Sequence, residues 1–141
     1  MKLFLDANIL VAVLNKEYPV FSHAARILSL ADNKQFEVYT SPVCLAIAFY
    51  FAEKKSGTEE AKRKIVLLSK HIRITDIGSD EVLQSAANKK VLDFEDGLEY
   101  YSALKQKCKY IITEDISDYH FSEISVLNSK GFIERLIRKK L

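Results

Sequence analysis

Short apolar runs and stretches of helical periodicity follow one another along the chain. Lys2–Leu5 is apolar after its first residue, which predicts a strand buried on both faces. The segment Phe21–Asn33 instead places apolar residues at helical spacing, and the alternating segment Phe36–Thr40 that follows it favours a second strand. The chain therefore starts as strand, helix, strand.

The same succession continues to the carboxyl terminus. The predicted strands are 2–5, 36–40, 72–77, 109–113 and 125–127. The predicted helices are about 9–14, 21–33, 42–55, 58–70, 79–89 and 93–107, with a last helix that ends within 135–140. Parallel strands need crossover connections, which the helices can provide. The order therefore predicts an α/β fold whose mostly parallel sheet has helices on both faces.

Polar residues mark the starts of several predicted helices. Ser22 is a candidate N-cap for the second helix, and Asn128 is one for the last. Ser41 followed by Pro42 is typical of a helix start, because proline fits the first helical position without losing a hydrogen bond.

Length and composition restrict the class of protein. A chain of 141 residues suits one domain, so we expect residues 1–141 to fold as a single unit. A hydrophobic content of 48% excludes a disordered chain, because this much apolar surface can be buried. The net charge of +2 gives no support for a nucleic-acid partner by itself.

The two cysteines and the amino terminus indicate a reduced compartment. Cys44 and Cys108 lie far apart in the chain and outside any metal-binding motif, so we expect two buried free thiols. Asp6 interrupts the apolar amino terminus, and no stretch reaches the roughly 20 apolar residues of a membrane-spanning helix. We therefore expect a cytoplasmic protein that does not enter a membrane.

Acidic residues directly follow the first and the fourth predicted strands. Others open the helix that precedes the fourth strand. In an open α/β sheet the functional crevice lies beyond the carboxyl ends of the strands, so these acids should meet at one edge. Close carboxylates repel one another, and a hard divalent cation such as Mg²⁺ or Mn²⁺ is the natural neutraliser. The acids concerned are Asp6, Asp93, Glu95, Asp96, Glu114 and Asp115.

Each acid also has a simpler interpretation. Asp6 can cap a helix, and Asp93 and Glu95 favour a helix start through its dipole. Asp115 and Asp118 can be ordinary loop acids. Only their joint placement at strand ends points to a metal site.

Three motifs resemble the PIN domain, and in particular the single-domain bacterial proteins of the VapC type. They are LFLDANIL at the amino terminus, DFEDGLEYYSAL in the helix before the fourth strand, and YIITEDISDY, which begins within that strand. The resemblance spans essentially the whole chain and implies a three-layer α/β/α sandwich with a mostly parallel sheet of four to five strands. It also implies an endoribonuclease that hydrolyses single-stranded RNA with Mg²⁺ or Mn²⁺.

The resemblance assigns roles to individual residues. It makes Asp6, Asp96 and Asp115 the catalytic, metal-binding acids, with Asn8 and Thr113 as polar residues that orient them. Asp118 would be a helper of Asp115. The resemblance further implies an RNA substrate, an antitoxin protein as partner and a homodimer.

One position departs from the family pattern. The helix after the second strand usually carries an early Glu, whereas here Ile47 or a neighbour occupies that place. The first acid of this helix is Glu53, which we expect to face solvent, so Glu95 or Asp118 would have to fill the gap. The alternative is a catalytically degenerate PIN-fold module that binds RNA or a protein.

Two further interpretations compete with parts of this account. A phosphoacceptor receiver-like domain also gathers acids at strand ends, but it expects two adjacent acids after the first strand, where this chain has only Asp6. Clusters of Lys and Arg are either solvated helix faces or a basic rim that holds a phosphate backbone. These clusters are Lys54 and Lys55, Lys62 to Lys64, Lys89 and Lys90, and Arg135 to Lys140.

Overall fold

Five strands form one sheet in the computed structural model, which describes residues 1–141. The strands are β1 (Lys2–Leu5), β2 (Glu37–Thr40), β3 (Arg73–Ile74), β4 (Tyr110–Ile112) and β5 (Ser125–Leu127). Their order across the sheet is β3-β2-β1-β4-β5, and every pairing between neighbours is parallel. The predicted parallel α/β sheet is therefore confirmed.

Seven α-helices connect and cover these strands. They are α1 (Ala7–Leu14), α2 (Val20–Ser29), α3 (Pro42–Ser56), α4 (Thr58–His71), α5 (Ser79–Ala87), α6 (Phe94–Lys105) and α7 (Ser129–Ile137). Helices α1 to α4 belong to the crossovers that lead from β1 to β2 and on to β3. Helices α5 and α6 pack together on the return from β3 to β4, and right-handed crossovers place them on the opposite face. No helix has the length and apolar character needed to cross a membrane.

The core lies on both faces of the two central strands. Phe4 and Ile111 are fully buried, as the apolar runs predicted, and Ile9 of α1 packs into the same cluster. Strand β1 has β2 on one side and β4 on the other, so the strand order reverses between β1 and β4. A crevice opens at such a reversal, beyond the carboxyl ends of the strands.

The predicted extent of one strand and one predicted N-cap are wrong. Strand β3 covers Arg73–Ile74 and not 72–77, because it is an edge strand that leaves the sheet after Thr75 donates one bond to the Thr40 carbonyl. The second helix begins at Val20, directly after Pro19, so Ser22 lies inside it and does not cap it. The backbone of Pro19 is already helical, with φ −83° and ψ −10°, and this starts the helix earlier than the predicted cap.

Other local predictions hold. The Ser41 side chain caps α3 by accepting a bond from the Cys44 amide at 3.0 Å, and Asn128 caps α7 by accepting one from the Gly131 amide at 2.7 Å. Cys44 and Cys108 are both buried and unpaired, as expected.

Candidate active site

Asp6 occupies the junction between β1 and α1. One carboxylate oxygen, Oδ1, accepts a hydrogen bond from the Ala7 amide at 2.7 Å, so the cap expected for this residue is present. The other oxygen, Oδ2, accepts the Thr113 hydroxyl at 2.8 Å. With only 7% of the residue exposed, the carboxylate is held in one orientation at the floor of the crevice.

A short polar network joins Asp6 to the segment after β4. The Thr113 hydroxyl, which donates to Asp6, accepts the Asp115 amide at 3.1 Å and the Asn8 side-chain amide at 3.0 Å. The same Asn8 side-chain amide nitrogen donates to Asp115 Oδ2 at 3.3 Å, and the side-chain oxygen of Asn8, Oδ1, accepts the Glu114 backbone amide at 3.1 Å. Asn8 and Thr113 thus link the two acids, which is the geometry expected of orienting residues.

The start of α6 brings the third acidic segment to the same place. Asp93 caps this helix by accepting a bond from the Glu95 amide at 3.0 Å, and Asp96 lies in its first turn. A cleft of about 430 Å³ lies between these segments, and most of the side chains lining it are acidic. The lining residues are Asp6, Ala7, Asn8, Val11, Glu17, Ile47, Phe51, Asp93, Glu95, Asp96, Glu99, Asp115 and Asp118.

One acid of the predicted cluster faces elsewhere. The Glu114 carboxylate accepts the Ser129 amide at 3.0 Å and the Ser129 hydroxyl at 3.1 Å, at the start of α7. It therefore stabilises a helix terminus, and the expectation that it joins the acidic cluster is wrong. Strand alternation explains the difference, because neighbouring residues after a strand point to opposite sides.

Glu99 belongs to the cleft although the sequence did not single it out. It is 1% exposed, and its Oε2 accepts the Tyr119 hydroxyl at 2.6 Å. Carboxylate oxygens of Asp6 and Glu99 and the sulfur of Cys44 all lie within 4.8 Å of one another. The available signal was its spacing, because Glu99 follows Asp96 by three positions on a helix and so shares its face.

Helix α3 contributes apolar side chains to the cleft. Ile47 and Phe51 line it, whereas Glu53 accepts the Thr58 hydroxyl at 2.8 Å beyond the end of the helix. The expectation that no acid of α3 reaches the site therefore agrees with the structure. Glu95 and Asp118, the two acids expected to fill the gap, both lie on the exposed part of the cleft.

Burial, together with the crowding of carboxylates, raises the pKa of three of them, Asp96, Glu99 and Asp118. Burial raises the pKa of Asp96 to about 7, and the charges of Asp93 and Asp6 add to this effect. Burial likewise raises the pKa of Glu99 to about 9, with the Asp6 charge as the second cause. No cation of the protein lowers either pKa.

The donor set fits a hard divalent cation. The cleft lining contains carboxylates and an amide but no Lys, Arg or His. Carboxylate oxygens suit Mg²⁺ and Mn²⁺. The Cys44 thiol is a poorer ligand for them, because burial together with the Glu99 and Asp6 charges raises its pKa well above the ordinary value. The residues that could hold the cation are those whose carboxylates converge, namely Asp6, Asp96, Glu99, Asp115 and Asp118.

Some of the basic residues stabilise helix ends and do not form a rim around the cleft. The Lys55 ammonium donates to the Asn15 carbonyl, and the Lys64 ammonium donates to the Leu14 carbonyl at 3.0 Å. Both carbonyls end α1, where cations are favoured by the helix dipole. Arg63 pairs with Glu60 of its own helix.

Comparisons with known proteins agree on one family. The model of the PIN domain family matches residues 2–117. Ribonuclease VapC1 of Aquifex aeolicus (strain VF5) is 26% identical over 141 residues, which cover 95% of this chain and 94% of that protein.

Solved structures show the same fold. VapBC2 from Rickettsia felis, bound to a DNA fragment from its promoter, matches with a TM-score of 0.69 at 18% identity, covering 91% of this chain and 98% of that one. VapBC-1 from nontypeable Haemophilus influenzae matches with a TM-score of 0.70 at 17% identity, covering 92% of this chain and 99% of that one. Mycobacterium tuberculosis VapC20, a sarcin-ricin loop cleaving toxin, matches with a TM-score of 0.66 at 20% identity, covering 87% of this chain and 98% of that one.

Replacing Thr113 with Val should destabilise the protein by about 2 kcal/mol, because the buried Asp6 carboxylate and the Asp115 amide each lose a partner. Urea unfolding in the presence of EDTA measures the change. Thr113→Ser keeps the hydroxyl and is expected to retain most of the stability. A Val variant as stable as the wild type would show that this network contributes nothing to folding.

In the metal-free protein, the free energy of unfolding should fall as the pH rises from about 5 to about 9. The folded state keeps protons on Asp96 and Glu99, whose pKa values rise to about 7 and about 9, whereas the unfolded chain releases them near pH 4 to about 4.5. The stabilisation is therefore complete below the unfolded pKa and is lost as the pH passes the folded values.

Urea unfolding at a series of pH values in EDTA tests this dependence. Glu99→Gln should flatten the decline between about pH 7 and pH 9, since this change removes the group that titrates there. A wild-type stability that rises with pH over this window would contradict the assignment of protonated carboxyls to the cleft.

Proposed function

Because the chain belongs to the PIN domain family, we propose that it is a metal-dependent endoribonuclease that hydrolyses phosphodiester bonds of single-stranded RNA. The observation that carries this proposal is the convergence of Asp6, Asp96 and Asp115 in one cleft at the reversal of strand order. A relative of nearly the same length is named a ribonuclease, which supports the same reaction. One structural neighbour is described as a sarcin-ricin loop cleaving toxin.

Mg²⁺ or Mn²⁺ is the proposed cofactor, and Asp6, Asp96 and Asp115 are the residues that would bind it. When bound, such a cation activates the attacking water and stabilises the charge that develops on the phosphodiester. The chain's own contribution is to fix the carboxylates. The Thr113 hydroxyl holds Asp6, and the Asn8 amide holds Asp115, so both acids are oriented before substrate arrives.

The wall of the cleft offers a surface for a base. Phe51 of α3 is 44% exposed and lines the same cleft as the acids. Aromatic rings stack on nucleic-acid bases without strong sequence preference, which suits a single-stranded substrate. Lys54 lies one turn of helix away from Tyr50, with its ammonium 4.4 Å from that ring, and could meet the phosphate backbone.

We propose that residues 1–141 act as one domain and form the toxin of a toxin–antitoxin pair. Two structural neighbours are VapBC complexes, which contain such a partner. A homodimer is proposed on the family resemblance alone. The second candidate function is a degenerate module that binds RNA or a protein without cutting, and the apolar Ile47 on the α3 wall favours it.

Asp6→Asn should reduce Mn²⁺-dependent cleavage of a labelled single-stranded RNA by at least 100-fold, because the change removes a charged ligand while keeping the Ala7 cap. Asp115→Asn is expected to behave in the same way. Cleavage is followed by gel electrophoresis, and circular dichroism checks the fold of each variant.

Asp80→Asn is the matched control, because Asp80 is an exposed acid at the start of α5 and does not line the cleft. Its cleavage rate should equal that of the wild type. Full activity in Asp6→Asn would contradict the assignment of this cleft as the active site. RNA binding without cleavage by the wild type in saturating Mn²⁺ would instead favour the degenerate module.

A further inference from the structure

Glu99 is a buried carboxylate with little to neutralise it. Its residue is 1% exposed, and the Tyr119 hydroxyl donates a hydrogen bond to its Oε2 at 2.6 Å. The Cys44 thiol also hydrogen-bonds this carboxyl, so the groups that contact it are a neutral hydroxyl, a neutral thiol and the carboxyl of Asp6, and none of them is a cation. Since a buried carboxylate is costly unless it is paired, the environment of Glu99 calls for a positive charge.

A second buried glutamate shows what pairing looks like in the same chain. Glu81 is 2% exposed, and its Oε1 accepts the Gly78 amide at 2.9 Å and lies 3.8 Å from the Lys105 ammonium. Glu81 therefore has both an amide donor and a cation. Glu99 has neither, and no Lys or Arg lines the cleft around it.

Glu99 lies close to other groups that could bind a metal ion. Asp6, Cys44 and Glu99 each offer one ligand atom within 4.8 Å of the other two, and all three are buried. Helix α3 contributes Cys44 and Ile47 to this region and no acid. Helix α6 thus carries the inner carboxylate of this cleft, and α3 does not.

We propose that Glu99 is an inner ligand of the divalent cation, beside Asp6, and supplies from α6 the carboxylate that α3 lacks. The proposal rests on the metal dependence proposed above. Tyr119 would hold Oε2 and leave the other oxygen free for the cation. Glu95 and Asp118, which are exposed, would then not be needed as replacements.

Mn²⁺ binding to the full-length, RNA-free protein tests the proposal, by calorimetry and by the electron paramagnetic resonance signal of free Mn²⁺. Glu99→Gln should weaken the affinity at least 10-fold, since even residues that only orient ligands account for 10- to 100-fold. Glu81→Gln is the matched buried control, and Glu59→Gln, at an exposed position outside the cleft, is the exposed one. Both controls should bind as the wild type does, within about 3-fold.

A second variant separates a lost ligand from a distorted cleft. Ile47→Glu combined with Glu99→Gln places a carboxylate on the facing wall and should recover at least part of the lost affinity. A double variant that binds no more tightly than Glu99→Gln alone would overturn the proposal, because the loss would then come from distortion. Thermal unfolding in EDTA checks that each variant is folded.

Cleavage of single-stranded RNA, measured in parallel, keeps this proposal separate from the ribonuclease assignment. A lower Mn²⁺ affinity in Glu99→Gln supports the assignment of Glu99 as a metal ligand, even if no variant cuts RNA. The absence of cleavage would contradict only the proposed ribonuclease activity. Unchanged affinity in Glu99→Gln overturns the ligand, even if the wild type cuts RNA. Absence of Mn²⁺ binding to the wild type overturns it as well.

Discussion

Repulsion among carboxylates at the carboxyl ends of β1 and β4 is the constraint on which the rest of the site depends. The register of these strands pairs Leu5 with Ile112, so Asp6 and Thr113 leave the sheet side by side. The Asp6 amide continues the pairing by donating to the Ile112 carbonyl at 3.0 Å. The fold therefore forces the acids together, and the remaining features of the site reduce the resulting strain.

Two features of the protein stabilise the negative charge of these acids. Asp6 and Asp93 sit at the starts of α1 and α6, where free amides and the helix dipole favour negative charge. The Thr113 hydroxyl satisfies one oxygen of Asp6. Burial works in the opposite direction, because it raises the pKa of Asp96 and Glu99 and so favours their neutral forms. What remains is uncompensated negative charge, which suits a divalent cation and gives the cleft its proposed chemistry.

Much of this arrangement could be predicted from the sequence, since strands that alternate with helices place strand ends at a common edge. Asp6 and Asp115 follow directly from that rule, and Asn8 and Thr113 followed from the family resemblance. Glu114 was wrongly included because position after a strand does not reveal which side a residue faces. The second helix was placed too late because Pro19 starts it, which a search for a side-chain cap does not detect.

Glu99 was missed for a different physical reason. A glutamate within a helix is usually solvated, and its burial depends on Tyr119 and Cys44, which come from distant parts of the chain. Helical periodicity alone relates it to Asp96 but does not show that this face is buried. The apolar α3 wall was, by contrast, visible in the sequence as a missing acid at Ile47.

The central claim is that acids from three distant segments form one cation site, and a crystal structure of the protein grown with Mn²⁺ tests it most directly. Anomalous scattering locates Mn²⁺ without reference to the protein coordinates. The account predicts a peak within coordination distance of the Asp6 carboxylate and of at least one acid from α6 or from the segment after β4. A crystal saturated with Mn²⁺ that shows no peak in this cleft, or a peak elsewhere only, would contradict it.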